Sequence, residues 1–154
     1  MDRAFSVAAR PADVWPWLVQ LGKGRAGWYL TRSVDWFVPP SRRALRTLDT
    51  TFQQLREGDV IPDYGGPHET FEVVEVDPPL LLVYRSQRGR TSLSWAITLS
   101  EVEATGAVGT RVHLRLRLGP VRRVRLARVG GGFVDLLTIA GMAAGLRERL
   151  ADTN

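Results

Sequence analysis

Two stretches alternate between large apolar residues and small or polar ones, and no other feature of this 154-residue chain narrows its fold so far. In SLSWAITLSE, the residues Leu93, Trp95, Ile97 and Leu99 alternate with Ser92, Ser94, Ala96 and Thr98. In TRVHLRLRLG, Val112, Leu114, Leu116 and Leu118 point one way while His113, Arg115 and Arg117 point the other. A period of two is that of a strand with one buried and one solvated face, so the chain must contain an antiparallel sheet with a single oily side. That side needs a cover. FVDLLTIAGMAAGL, residues 133–146, carries one charge, Asp135, and leads a terminal helix expected from about Gly132 to Leu150. It is the one element long enough to serve.

The remaining segments fill in the order. RAFSVA reads as a first strand. Pro11 suits a first helical position, and PADVWPWLVQLG sets Val14, Trp17, Leu18 and Leu21 on one stripe, stopped by Gly22. WYLTRSVDWF is expected to form a second short helix before Pro39 and Pro40. SRRALRTLDTTFQQL reads as a long connection. GDVIP, ETFEVVEVD and LLLVYRS read as strands, with DYGGPH a turn and QRGR a hairpin link. PVRRVRLARVGGG is either irregular or an amphipathic basic turn of helix. The expectation is one domain over residues 1–154, α+β in class, with six to seven strands.

Composition excludes several chemistries. There is no Cys, hence no disulfide, thiolate metal site or Cys nucleophile, and no signal-peptide pattern or long apolar span is present. A cytoplasmic location without stable membrane insertion is the expectation. The net charge of +5 would suit an anionic partner, yet 20 of the 21 cations are Arg, a bias that GC-rich coding explains as well. Seven Arg lie between Arg111 and Arg128, where Arg115 and Arg117 belong to a solvated strand face, so no nucleic-acid partner is expected. Two distant His residues offer no ligand spacing, and no P-loop, dinucleotide fingerprint or nucleophile elbow occurs. No metal and no cofactor are expected.

RPADVWPWLVQLGKGRAGWY, LREGDVIPD, FEVVEVDPP, SWAITL, GTRVHLRLR and GLRERLA resemble, in this order and over most of the chain, the SRPBCC or START-like superfamily. The resemblance implies a helix-grip fold: a strongly curved antiparallel sheet around a long C-terminal helix, with an apolar cavity between them. It implies no single chemistry, because that superfamily includes polyketide cyclases, dehydratases and lipid carriers.

Candidate site residues follow. Leu136, Ile139, Ala140, Ala143, Leu146 and Leu150 share a stripe that is small at its centre, which means either close packing or a void; the resemblance favours the void. The flank of Leu137, Gly141 and Met142 would serve a homodimer contact or a lipid-facing lip. With Phe71 and Val73 inward, Glu69 also points inward, either as a carboxylate raised in pKa by an apolar cavity or as a solvated group at the strand mouth. Tyr84 is expected to face the cavity, where its hydroxyl would meet a ligand. Tyr64 and His68 join Asp63 and Glu69 in the densest polar group. Trp17, Trp28, Trp36, Trp95 and Ile97 are core residues that would also wall a flat ligand. Glu69, Tyr84 and Asp35 are the candidates for proton transfer. Two functions lead, cyclisation or dehydration of a hydrophobic small molecule and its non-catalytic carriage or sensing; a weaker third is a membrane- or nucleic-acid-associated module using the Arg111 to Arg128 surface.

Overall fold

The computed structural model describes residues 1–104, 107–120 and 124–153, and the side chains described exclude those of 104, 107 and 124–137. The protein is α+β. Six strands, β1 (Asp2–Val7), β2 (Val60–Pro62), β3 (Thr70–Asp77), β4 (Leu81–Arg88), β5 (Thr91–Ala104) and β6 (Ala107–Gly119), form one antiparallel sheet in the order β1-β6-β5-β4-β3-β2. The helices are α1 (Pro11–Gln20), α2 (Arg32–Asp35) and α3 (Val124–Thr153). No helix among the described residues is long and apolar enough to cross a membrane.

The two alternating stretches are adjacent strands, and their oily residues pair with one another. Leu93 faces Leu118, Trp95 faces Leu116, Ile97 faces Leu114 and Leu99 faces Val112. β4 extends the same face by setting Leu82 opposite Ile97 and Tyr84 opposite Trp95. Cross-strand pairs of large apolar side chains are the unit of sheet stability, so register and burial are fixed by one pattern. On the outer face Arg115 and Arg117 are exposed. There the Asp2 carboxylate of β1 accepts from Arg115 Nε at 2.9 Å and pairs with His113. Leu118 departs from its stripe: it is exposed, because it lies at the end of β6 where nothing described covers it.

α1 starts on Pro11, where a missing N–H costs nothing, and runs through Pro16 to Gln20. It buries Val14, Trp17 and Leu18. The expected second helix shrinks to the single turn of α2, because Trp28 and Tyr29 are held outside it by other partners: Tyr29 is buried and its hydroxyl donates to Trp17 O at 2.7 Å.

α3 begins eight residues earlier than Gly132, so the ambiguous basic segment is helical from Val124. Its buried face carries Ile139, Met142, Ala143, Leu146 and Leu150, packed in one core with Val14, Leu18, Tyr29, Leu82, Tyr84, Ile97 and Leu114. Two expectations are corrected here. Ala140 is exposed, and Met142, expected on the flank, is fully buried. The segment is apolar nearly all round, so two neighbouring stripes fit the spacing equally, and the larger Met wins the core side. Leu136 falls among the residues whose side chains are outside the description.

Arg149 is also fully buried. Its guanidinium donates to Leu45 O at 2.7 Å, Leu30 O at 3.0 Å and Gly145 O at 2.8 Å, and lies 4.4 Å from the Tyr29 ring centre. Burial holds its pKa below the ordinary arginine value, and four carbonyls, Ala44 O being the fourth, take the place of water. One cation thereby ties α3 to two irregular segments.

Candidate functional site

A cleft of about 710 Å³ opens between α3 and one end of the sheet. Its walls come from every layer of the fold: Thr138 and Ile139 of α3, Phe71 of β3, Arg88 of β4, Leu93 and Trp95 of β5, and Leu116 of β6. Met1, Trp28 and the turn Asp63-Tyr64-Gly65 complete it. The size falls within the roughly 300–1,000 Å³ typical of small-molecule sites.

The floor is aromatic and centred on Trp95. Tyr84 stacks on Trp95 with centroids 5.4 Å apart, Phe71 lies 6.1 Å away and Trp28 6.3 Å away. Strand geometry explains this cluster, since Trp95 and Tyr84 are register partners and Phe71 faces the same side two residues before Val73, the partner of Tyr84. Trp28 enters from the loop after α1, its Nε1 donating to Thr138 O at 3.3 Å, which spends the indole N–H on α3. Trp28, Phe71 and Trp95 face the cleft as a hydrophobic wall, and Tyr84 backs it from beneath.

The charged side chains of the lining gather at one corner. Arg88 sits 5.7 Å from the Phe71 ring centre, pairs with Asp63 and lies 3.2 Å from Glu69 Oε2. Lys23 Nζ donates to Asp63 O at 2.9 Å and to Gly66 O at 3.1 Å. Two cations thus hold the turn between β2 and β3 at the rim. Counting from Tyr84 in twos along β4 leads through Ser86 to Arg88, so the cleft arginine was within reach of the sequence pattern; reading QRGR as a link hid it.

The structure brings Trp28, Tyr64, Phe71, Trp95 and Ile139 together on the cleft wall. Glu69 stands at the rim against Arg88, not as an unpaired carboxylate within an apolar cavity. Tyr84 is buried behind Trp95 and Phe71, and burial drives its phenol well above the ordinary value of 10.0, so it keeps its proton at neutral pH. His68 is exposed in the turn. Trp17, Ile97 and Ala143 belong to the core below the cleft.

Asp35 and Trp36 lie elsewhere, in a second depression of about 360 Å³ with Arg32, Arg43, Ala44 and Arg46. Asp35 is buried and paired with Arg46 at 3.0 Å, and Trp36 is exposed. The shortness of α2 is the reason: the chain leaves the cleft after Trp28 and turns these residues away from it. Among the described residues no group of three His, Asp or Glu is placed to hold a metal ion.

No protein-family model matches the sequence, and no curated protein matches it. Solved structures share the fold. A protein from Rhodobacter sphaeroides superposes with a TM-score of 0.55 at 15% identity, over 99% of this chain and 93% of its own. A protein from Chromobacterium violaceum gives 0.51 at 12% identity, over 97% and 95%. DynU16, from the dynemicin biosynthetic locus, gives 0.49 at 17% identity over 98% of this chain and 46% of its own, and adds nothing to the fold assignment. At such identities the likeness extends to architecture alone.

Proposed function

We propose that the cleft binds a hydrophobic, ring-bearing small molecule and that the protein serves as its carrier or receptor, in the helix-grip manner of SRPBCC and START-like proteins. The supporting observation is the aromatic floor of Phe71, Trp95 and Trp28, open to solvent beside a single charged corner. Offset ring faces favour a planar partner, and burial of its apolar area supplies the affinity. The corner of Arg88, Asp63 and Glu69 gives the molecule an orientation, because the charged side chains that can bond a polar substituent are gathered there.

Cyclisation or dehydration of the guest is the catalytic extension of this reading. It requires a group that exchanges protons with the guest, and Glu69 is the candidate at the rim. Its carboxylate is already engaged with Arg88 at 3.2 Å, which weighs toward binding over catalysis.

Titration with 1-pyrenemethanol, a neutral ring-bearing probe, tests the binding reading through energy transfer from Trp28 and Trp95. Wild type should bind, and Leu116→Trp, which fills the cleft from β6, should lose most of that binding with an unchanged thermal transition. Equal binding by both proteins removes the cleft as the site. Native mass spectrometry of the purified protein then separates the two functions: a co-purified guest whose mass changes on incubation with wild type but not with Glu69→Gln marks an enzyme.

A further inference from the structure

On the surface that follows α2, two adjacent large aromatics stand in water. Trp36 is 78% exposed and Phe37 83%, with Val34 at 46% in the turn before them. Side chains of this size are seldom left in solvent together without a partner. They are also held firmly. Arg43 donates to Val38 O at 2.8 Å and to Trp36 O at 3.4 Å, and Pro39 and Pro40 follow directly.

Cations outnumber carboxylates around this tip. Arg32 is tied to Asp152 at 2.6 Å, and Arg46 to Asp35 and Glu148, whereas Arg42 and Arg43 have no carboxylate partner among the described residues. Both are exposed. The tip therefore offers aromatic side chains that prefer the boundary between hydrocarbon and water, flanked by two exposed cations whose charge no described carboxylate neutralises. A second copy of the chain fits poorly, because a two-fold contact would press Arg42 and Arg43 against themselves in a protein that already carries +5. A single-stranded nucleic acid would use the rings by stacking but has no use for the exposed aliphatic Val34 of the adjoining turn.

We propose that residues 34–43 dock the protein peripherally on an anionic bilayer surface, with Trp36 and Phe37 entering the interfacial region and Arg42 and Arg43 meeting lipid phosphates. The proposal stands apart from the cleft, whose lining includes none of these residues.

Sedimentation of the full chain with vesicles of phosphatidylcholine, and of equal parts phosphatidylcholine and phosphatidylglycerol, tests it. The protein should pellet with the phosphatidylglycerol vesicles, and raised salt should release it. Arg42→Gln should weaken partitioning about fivefold. The double variant Trp36→Ser/Phe37→Ser should abolish it with an unaltered near-ultraviolet dichroism spectrum, and the single changes Trp36→Gln and Phe37→Gln serve if the double variant does not fold. Absence of pelleting, or pelleting that ignores these changes, overturns the proposal. So does a concentration-dependent dimer that the double variant removes, or displacement of the vesicles by a single-stranded oligonucleotide.

Discussion

Gly145 of α3 rests directly on the backbone of Leu30: a Cβ added to the glycine would lie 2.7 Å from the N, C and O atoms of Leu30. Helix propensity alone predicts that Ala at this position would stabilise α3 by about 1 kcal/mol. The contact reverses the sign. Backbone atoms cannot rotate aside, and overpacking of this kind costs about 1–3 kcal/mol or more. Gly145→Ala should therefore destabilise the protein by about 2 kcal/mol in urea unfolding. Gly141 provides the control, because its added Cβ would meet only the Leu30 Cδ2 methyl at 3.3 Å, a side-chain end that can move. Gly141→Ala should fall within about 1 kcal/mol of wild type, on the stabilising side. Equal losses for both would refute the backbone argument.

Arg88 is the one cation between two carboxylates at the cleft rim, with side-chain exposures of 26% for Arg88, 15% for Asp63 and 35% for Glu69. Arg88→Met keeps much of the stem against Phe71 but leaves both carboxylates facing a missing charge. Pairs this shielded are worth more than surface ones, and the expected loss is about 1–2 kcal/mol. The local effect should be larger than the global one. Lys23 and the bond from Asp63 N to Glu69 O at 2.8 Å then remain to hold the 63–69 turn, and amide exchange in that peptide should accelerate about tenfold or more. Arg88→Met/Asp63→Asn should recover part of the loss by removing one unneutralised carboxylate. Unchanged exchange in the turn would mean that Arg88 does not hold it.

What the sequence disclosed and what it concealed divide along a physical line. The β5 and β6 pairing, the inward course of Phe71 and Tyr84, and the covering role of α3 all follow from a period of two with one-sided burial, which is local information. Within the terminal stripe Ile139, Ala143, Leu146 and Leu150 are buried as their spacing predicts, but a helix apolar on nearly every side has no sharp edge to its face, and Ala140 and Met142 exchange roles for that reason. Asp35 and Trp36 look like wall residues only if residues 28–37 form a continuous helix. Arg149 could not be read at all. A charged residue near a C-terminus reads as solvated, and the carbonyls of Leu30, Ala44 and Leu45 that bury it stand more than a hundred positions away.

Tyr84 connects the cleft floor to the stability of the fold, and its titration has a definite sign. The side chain is 1% exposed beneath Trp95, and burial lifts its phenol above the ordinary 10.0, the charge of Arg25 pulling weakly the other way. In the unfolded chain the phenol titrates near that ordinary value. Above it, the unfolded state has lost a proton that the folded state keeps, so stability falls as pH rises. The contribution is whole below the unfolded value and disappears as pH climbs through the folded one. Tyr29 acts in the same direction, since burial raises it too while its hydroxyl donates to Trp17 O. Tyr84→Phe should change stability at neutral pH by less than about 1 kcal/mol, because the hydroxyl makes no hydrogen bond to any described residue. It should also flatten the alkaline decline, leaving a residual slope owed to Tyr29. Urea midpoints of both proteins from about pH 8 to about pH 11 provide the measurement. Parallel curves across that range would show that the Tyr84 phenol ionises in the folded protein as readily as in water, and its burial beneath Trp95 would go with it.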